Sequence, residues 1–228
     1  WALFKIIMSQ RHMKFKTVVV TGGSSGIGLD LAKAYTQQGC DVVLMARNQR
    51  KLDDAVKACS KMKQTADQKV LSFSVDVSDK QALGACVELI KESVAIPDLL
   101  ILSAGIVQSV RFMEQTDDEF EDIIQTNVIG SRPVAKPFLL EMFKQGKGQL
   151  CFVSSLGGII STYGYSAYSA SKFAVLGMAG ALRQELHEHG VGVSVLCPPE
   201  VDTPMVHAES EHILPQTRFI KDIGGTLN

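Results

Sequence analysis

Tyr168-Ser169-Ala170-Ser171-Lys172 puts a phenol and an ammonium four residues apart, so on a helix they share one face and stand one turn from each other. A phenol with its ordinary pKa near 10 is a slow acid at neutral pH, and moving it by about two units takes roughly 2.7 kcal/mol. A neighbouring cation does this by favouring phenolate. Ser155 follows the apolar run Gln149-Leu150-Cys151-Phe152-Val153, and Ser154-Ser155-Leu156-Gly157-Gly158 keeps the backbone thin around its hydroxyl. An acidic phenol, a cation that tunes it and a hydroxyl that polarises an oxygen are the parts of acid catalysis at a carbonyl. A Tyr-x-x-x-Lys pair alone is equally the solvated face of an amphipathic helix. His187 and His189, two apart on a helix, point in different directions and make poor metal partners, while His207 and His212 with Glu209 and Glu211 read as solvated loop residues. Cys197 reads as packing rather than as a nucleophile.

A second group of residues suits an anion. Val18-Val19-Val20 runs into Thr21-Gly22-Gly23-Ser24-Ser25-Gly26-Ile27-Gly28, after which Leu29 to Gln38 has helical spacing closed by Gly39. A glycine turn between a first strand and a first helix lets backbone approach a pyrophosphate, and the amides and dipole of the helix start favour its charge. The spacing Gly-x-x-x-Gly-x-Gly differs from the usual dinucleotide fingerprint, so the strand-turn-helix context carries the argument. About twenty residues on, where an acidic residue would accept from a ribose 2'-hydroxyl, stands Ala46-Arg47. Arg47 can donate to a 2'-phosphate, which favours NADP(H); it also suits a plain surface position. Asp76 can accept from an adenine amino group or cap the following helix.

The elements that must carry these residues alternate along the chain. Further strands are expected at Asp41-Val42-Val43-Leu44-Met45-Ala46, Val70 to Val75, Leu99 to Leu102, Gln149 to Val153 and Gly192 to Leu196. Helices are expected from Asn48 to about Met62, Asp79 to Val94, Asp117 to Ile129 and onward past Pro137, and Ser166 to His189. Six apolar strands alternating with helices make an α/β fold, a doubly wound parallel sheet with helices on both faces. The 228 residues carry 23 Lys+Arg against 24 Asp+Glu, with no long run of one sign, which excludes a broad nucleic-acid face. Five scattered cysteines without a Cys-x-x-Cys pair argue against a disulfide framework and a zinc knuckle and suit a reducing, cytoplasmic setting. Residues 1–15 read as an N-terminal extension or overhang, apolar over Ala2 to Met8 but too short to span a bilayer, and residues 16–228 as one catalytic domain with a substrate loop at about 200–220.

The glycine turn, Ser155, and Tyr168 with Lys172 together resemble the short-chain dehydrogenase/reductase family, over about Lys16 to Ile220. The resemblance implies a Rossmann-like sheet, NADP(H) as cofactor and a catalytic set of Asn127, Ser155, Tyr168 and Lys172. Tyr168 would protonate a carbonyl oxygen, Ser155 polarise it, Lys172 lower the phenol's pKa and hold the nicotinamide ribose, and Asn127 shape its helix and anchor a relay water. The implied cofactor contacts are Gly22, Ser24, Ser25, Gly26, Ile27, Gly28, Arg47, Asp76, Val77, Ala104, Gly105, Tyr168, Lys172, Pro198, Val201 and Thr203, with Thr203 at the nicotinamide carboxamide. Within the family, the double proline through Asp202-Thr203-Pro204 and the stretch Leu214-Pro215-Gln216-Thr217-Arg218 resemble 3-ketodihydrosphingosine reductases. That implies a long-chain amino ketone as substrate, Met205, Val206, Ile213 and Leu214 lining a lid for its tail, and a peripheral contact on the cytosolic face of a membrane. Other lipid-like ketones or alcohols, such as a 3-oxoacyl thioester or a steroid, and a non-catalytic NADP(H) sensor stay open. Two features depart from the family: Leu102-Ser103-Ala104-Gly105 stands where Asn-Asn-Ala-Gly is usual, and the chain reaches Asn228 without the usual seventh strand. Strand-mediated tetramers are therefore not expected, and a homodimer is.

Overall fold

The structure is a computed structural model and describes residues 15–225 and 227. Residues 1–14, most of the expected extension, lie outside the described residues. Chain order gives β1 (Thr17–Thr21), α1 (Gly26–Gln37), β2 (Asp41–Ala46), α2 (Gln49–Ser60), β3 (Val70–Ser74), α3 (Lys80–Ser93) and β4 (Leu99–Leu102). There follow α4 (Asp117–Ile124), a π-helical turn (Gln125–Ile129), α5 (Ser131–Gln145), β5 (Gly148–Val153), a 3-10 turn (Leu156–Gly158), α6 (Ser166–His187), β6 (Val191–Leu196), α7 (Pro204–Ser210) and α8 (Pro215–Gly224). The strands form one parallel sheet in the order β3-β2-β1-β4-β5-β6.

Alternation along the strands sends successive side chains to two cores. Val19, Val43, Leu100 and Phe152 face one, with Leu83 and Ile90 of α3, Phe138 and Met142 of α5, and Val175 and Ala179 of α6. Val18, Val20, Leu44 and Ile101 face the other, with Ala32 and Tyr35 of α1 and Leu52 and Ala55 of α2. Burial on both faces explains why these strands are continuous apolar runs. Strand order reverses between β1 and β4, and a crevice opens there at the carboxyl ends. Thr21 closes its floor: its Oγ1 accepts from the Ser103 and Ala104 amides, both at 3.1 Å.

Three elements differ from expectation. The first helix starts inside the glycine turn, at Gly26 rather than Leu29, with Gly26 itself at a positive φ of 52° that glycine adopts readily. The helix expected from Asp117 through Pro137 is interrupted by the π-helical turn around Asn127. The substrate loop carries two helices, α7 and α8, each with proline in its first turn, where a missing N–H costs nothing. Leu227 makes a parallel bridge to Val201, with Asp202 N donating to Leu227 O and Leu227 N to Glu200 O at 2.8 Å each, so residue 227 lies against that segment and outside the sheet. Among the described residues no helix is long and apolar enough to cross a membrane.

Candidate active site

A cavity of about 590 Å3 runs across the strand ends. Its wall includes every cofactor residue expected from the sequence, from Gly22 through Arg47, Asp76, Val77, Ala104 and Gly105 to Pro198, Val201 and Thr203, and also Ser155, Tyr168 and Lys172. Asn127 does not line it; it stands behind, 4% exposed.

The glycine turn is built for close approach. A Cβ on Gly22 would stand 2.9 Å from Ala104 Cα, and one on Gly28 only 2.4 Å from the Gly22 carbonyl oxygen. Both glycines are therefore required for turn, helix start and β4 loop to meet. Ser25 stands at the N-cap of α1 without a side-chain capping bond among the described residues, and the first turn of that helix lines the cavity. A cradle of backbone with an uncapped helix start fits a pyrophosphate. Thr203 caps α7 by accepting from Val206 N at 3.4 Å, and its methyl lies 3.2 Å from where a Gly26 Cβ would be. At the far end Arg47 lies 3.6 Å from Asp76 and is 62% exposed, with Lys51 on the same wall. Asp76 does not cap α3, which Asp79 does; it accepts from Ser78 N and Oγ. Burial pulls its pKa up, but the two Ser78 donors and Arg47 outweigh that and hold the carboxyl below its usual range.

Leu102, where the family has asparagine, is 5% exposed and belongs to the apolar core, so it takes no polar role. Thr21 supports the following backbone instead.

At the chemical end, Ser155 rather than Ser154 faces the phenol. Ser154 is buried and donates to Lys172 O at 3.0 Å. The Ser155 hydroxyl accepts from Gly157 N at 3.0 Å and is a hydrogen-bond partner of Tyr168. A Cβ on Gly157 would come within 3.3 Å of the Tyr168 ring. Lys172 Nζ donates to Val153 O at 3.1 Å and stands 5.6 Å from the Tyr168 ring centroid. Burial drives the Lys172 pKa down to about 8. Burial dominates at Tyr168 and raises its pKa, against the Ser155 hydrogen bond, and the charge of Glu209 adds to the rise. Desolvation of the ammonium disfavours its charged form.

Asn127 closes the back wall. Its Nδ2 donates to Ile106 O at 2.9 Å and to Ser171 Oγ at 3.0 Å, and its Oδ1 accepts from Ile106 N at 2.8 Å. The π-helical turn aims this side chain between α6 and the β4 loop, a use such turns often have at functional sites. A Cβ on Gly105 would stand 3.2 Å from Asn127 Oδ1 and 3.5 Å from Lys172 Nζ, so glycine keeps that space clear.

The sequence reading gave no role on this wall to Tyr165, Glu200, Glu209 or Lys221. Glu209, expected to be solvated, has a side chain only 5% exposed; its carboxylate accepts the Tyr165 hydroxyl and meets Lys221 Nζ at 2.7 Å. Burial, then Glu209, raises the Tyr165 pKa beyond the ordinary range. Tyr165 stands three residues before Tyr168, a spacing that alone marked it as a neighbour. Met205 and Val206 line the cavity as expected; Ile213 and Leu214 do not, and Leu214 packs against Gly164 instead. His207 pairs with Asp202 at 2.5 Å, and no metal-binding group of His, Cys, Asp and Glu occurs among the described residues.

The model of the short chain dehydrogenase family matches residues 16–214. The chain belongs to the short-chain dehydrogenase family. Among curated proteins it is 36% identical over 209 residues to a 3-dehydrosphinganine reductase of Danio rerio, covering 91% of this chain and 63% of that protein. It is 37% identical over 206 residues to a 3-ketodihydrosphingosine reductase of Mus musculus, covering 90% of this chain and 62% of that one. It thus spans just over three-fifths of the length of these short-chain dehydrogenase relatives. Of solved structures, an actinorhodin polyketide ketoreductase with NADPH superposes with a TM-score of 0.82 at 30% identity, over 86% of this chain and 75% of that one. A levodione reductase superposes equally well, TM-score 0.82 at 27% identity, over 86% and 76%.

Proposed function

We propose that the chain is an NADP(H)-dependent carbonyl reductase acting on a long-chain amino ketone, 3-ketodihydrosphingosine, to give dihydrosphingosine. The observation that carries the reaction class is the meeting of Ser155, Tyr168 and Lys172 in the cavity whose other end is the glycine turn and Arg47. The substrate rests on the likeness to the reductases of zebrafish and mouse.

The cradle of Gly22, Gly26 and Gly28 would hold the pyrophosphate, Arg47 the 2'-phosphate, and Lys172 the nicotinamide ribose. NADPH, when bound, supplies a hydride to the carbonyl carbon. Burial keeps Tyr168 protonated at neutral pH, the form that can give its proton to the carbonyl oxygen. Ser155 donates to the same oxygen as it gains negative charge, and the carbonyl becomes a hydroxyl. The Lys172 ammonium and the Ser155 hydroxyl then stabilise the phenolate left on Tyr168 until solvent restores its proton. Asn127 keeps the back wall fixed through Ile106 and Ser171.

A second substrate reading, a 3-oxoacyl thioester, is favoured by the likeness to a polyketide ketoreductase. Because a long-chain ketone partitions into lipid, the proposal puts the chain at the cytosolic face of a membrane. The test is NADPH consumption with 3-ketodihydrosphingosine in detergent beside a 3-oxoacyl thioester and a steroid ketone, with NADH as control. Fastest turnover of the first with NADPH supports the proposal; fastest turnover of either other ketone, or a preference for NADH, contradicts it.

A further inference from the structure

Helices α7 and α8 supply Met205, Val206, Glu209, Ile220 and Ile223 to the wall of the cavity that holds Tyr168. Apolar burial does little to keep them there. No residue of α7 is buried as a whole and α8 buries only Thr217, so helices of 7 and 10 residues depend on polar ties for their place. Thr217 fixes the first turn of α8: its Oγ1 donates to Tyr163 O at 2.8 Å and accepts from Ser109 Oγ at 3.2 Å. One turn on, Lys221 Nζ donates to Glu209 Oε2 of α7 at 2.7 Å, and Arg218 Nη2 to Ser210 O at 2.7 Å. Tyr165, at the N-cap of α6, donates its hydroxyl to the other carboxylate oxygen, Glu209 Oε1. Both oxygens of Glu209 are thus engaged, and one carboxylate joins α6, α7 and α8.

Tyr165 carries that joint to the proton donor. It is 5% exposed, and its ring packs on the ring of Tyr168 with centroids 5.6 Å apart and planes at 56°. A tyrosine ring has a broad χ2 preference, so its direction is set by what it packs against. Gly157 offers the Tyr168 ring backbone without a side chain, which leaves the Tyr165 ring as a rigid stop. The place of that stop is fixed in turn by a charge-assisted bond, which is strong and directional.

Resting on the reductase reading above, we propose that Tyr165 is a positioning residue for the proton donor: its bond to Glu209 locks α7 and α8 to the start of α6 and thereby aims the Tyr168 ring. Glu209 and Lys221 act through Tyr165. The outer wall of the cavity and the proton donor then come into place together.

The test is the single-turnover rate of NADPH oxidation at saturating levels of whichever of the three ketones above the wild type reduces fastest, with KM and the NADPH Kd measured alongside. Tyr165→Phe keeps the ring and deletes the bond, Glu209→Ala removes the acceptor, and Glu209→Gln restores one. The expected result is a fall of about tenfold or more in the single-turnover rate for Tyr165→Phe and for Glu209→Ala, with KM and the NADPH Kd within about twofold. The double variant Tyr165→Phe with Glu209→Ala should be no slower than either single one, and Glu209→Gln should recover most of the loss. An unchanged rate, an effect confined to KM, losses that multiply in the double variant, or no recovery in Glu209→Gln each overturn the proposal while leaving the reductase reading standing. A lower Tm with an unchanged rate, the mark of a merely structural bond, does the same. No turnover of any of the three ketones by the wild type despite NADPH binding overturns the reductase reading, and the proposal with it. Should Glu209→Ala fail to fold, Tyr165→Phe against Glu209→Gln decides: a slow Tyr165→Phe beside a fast Glu209→Gln supports the proposal, and any other order overturns it.

Discussion

A phenol whose pKa burial raises stays protonated but is a weaker acid, so its proton leaves only as neighbours stabilise the phenolate, and a lysine that burial makes a weaker base is a cation on a shorter pH range. Lys172 loses its proton as pH rises through about 8, so reductive kcat/KM is expected to fall above that pH, as a pH-rate profile would reveal. The same depression acts on stability. Unfolded lysine stays protonated to about 10.5, folded Lys172 only to about 8, so between those values the unfolded chain binds more protons and stability rises with pH. Relative to Lys172→Met, the wild type is therefore expected to gain up to about 3 kcal/mol across that window, measured by urea unfolding at several pH values. Arg47 makes its own prediction. Its pairing with Asp76 is exposed and contributes little to the fold, so Arg47→Asp should leave stability nearly unchanged. Loss of a charge-assisted bond to the 2'-phosphate should cut the preference for NADPH over NADH by about 10- to 100-fold, checked by binding titrations with both cofactors.

Elements decide where those residues meet. Asn127 ties the π-helical turn to the β4 loop and to α6 through three hydrogen bonds, and Asn127→Ala leaves buried partners unsatisfied. The expected loss is about 2–4 kcal/mol of stability, read in urea unfolding, with a matching fall in activity. Most elements were legible in the sequence because their signals are local. The central strands β1, β2 and β4 are β-branched or leucine-rich runs buried on both faces, and the turn of Gly22, Gly26 and Gly28 carries its own backbone requirement. The π-helical turn was not legible, since one extra residue in a helix leaves the apolar spacing on either side nearly intact. Helices α7 and α8 were hidden by their shortness, although Thr203-Pro204 is an N-cap followed by a first-turn proline. Glu209 was misread because a glutamate between two histidines looks solvated, and its burial depends on Lys221 and Tyr165, which are distant in sequence.

At the scale of the whole molecule, one cavity joins the carboxyl ends of the strands to α7 and α8, so a bound cofactor would tie both halves of the sheet together. NADPH at a hundredfold excess over its Kd should raise unfolding free energy by about 2.7 kcal/mol, seen as an increase in Tm, and NADH at the same concentration should raise it less. The claim on which everything else depends is that Tyr168 gives the proton in that cavity. Its most direct test is the rate of NADPH-dependent reduction of 3-ketodihydrosphingosine by Tyr168→Phe and by the wild type, with NADPH affinity measured alongside. The expected result is a loss in kcat of about a hundredfold or more with the NADPH Kd held within about twofold. A Tyr168→Phe chain that turns over as fast as the wild type would contradict it.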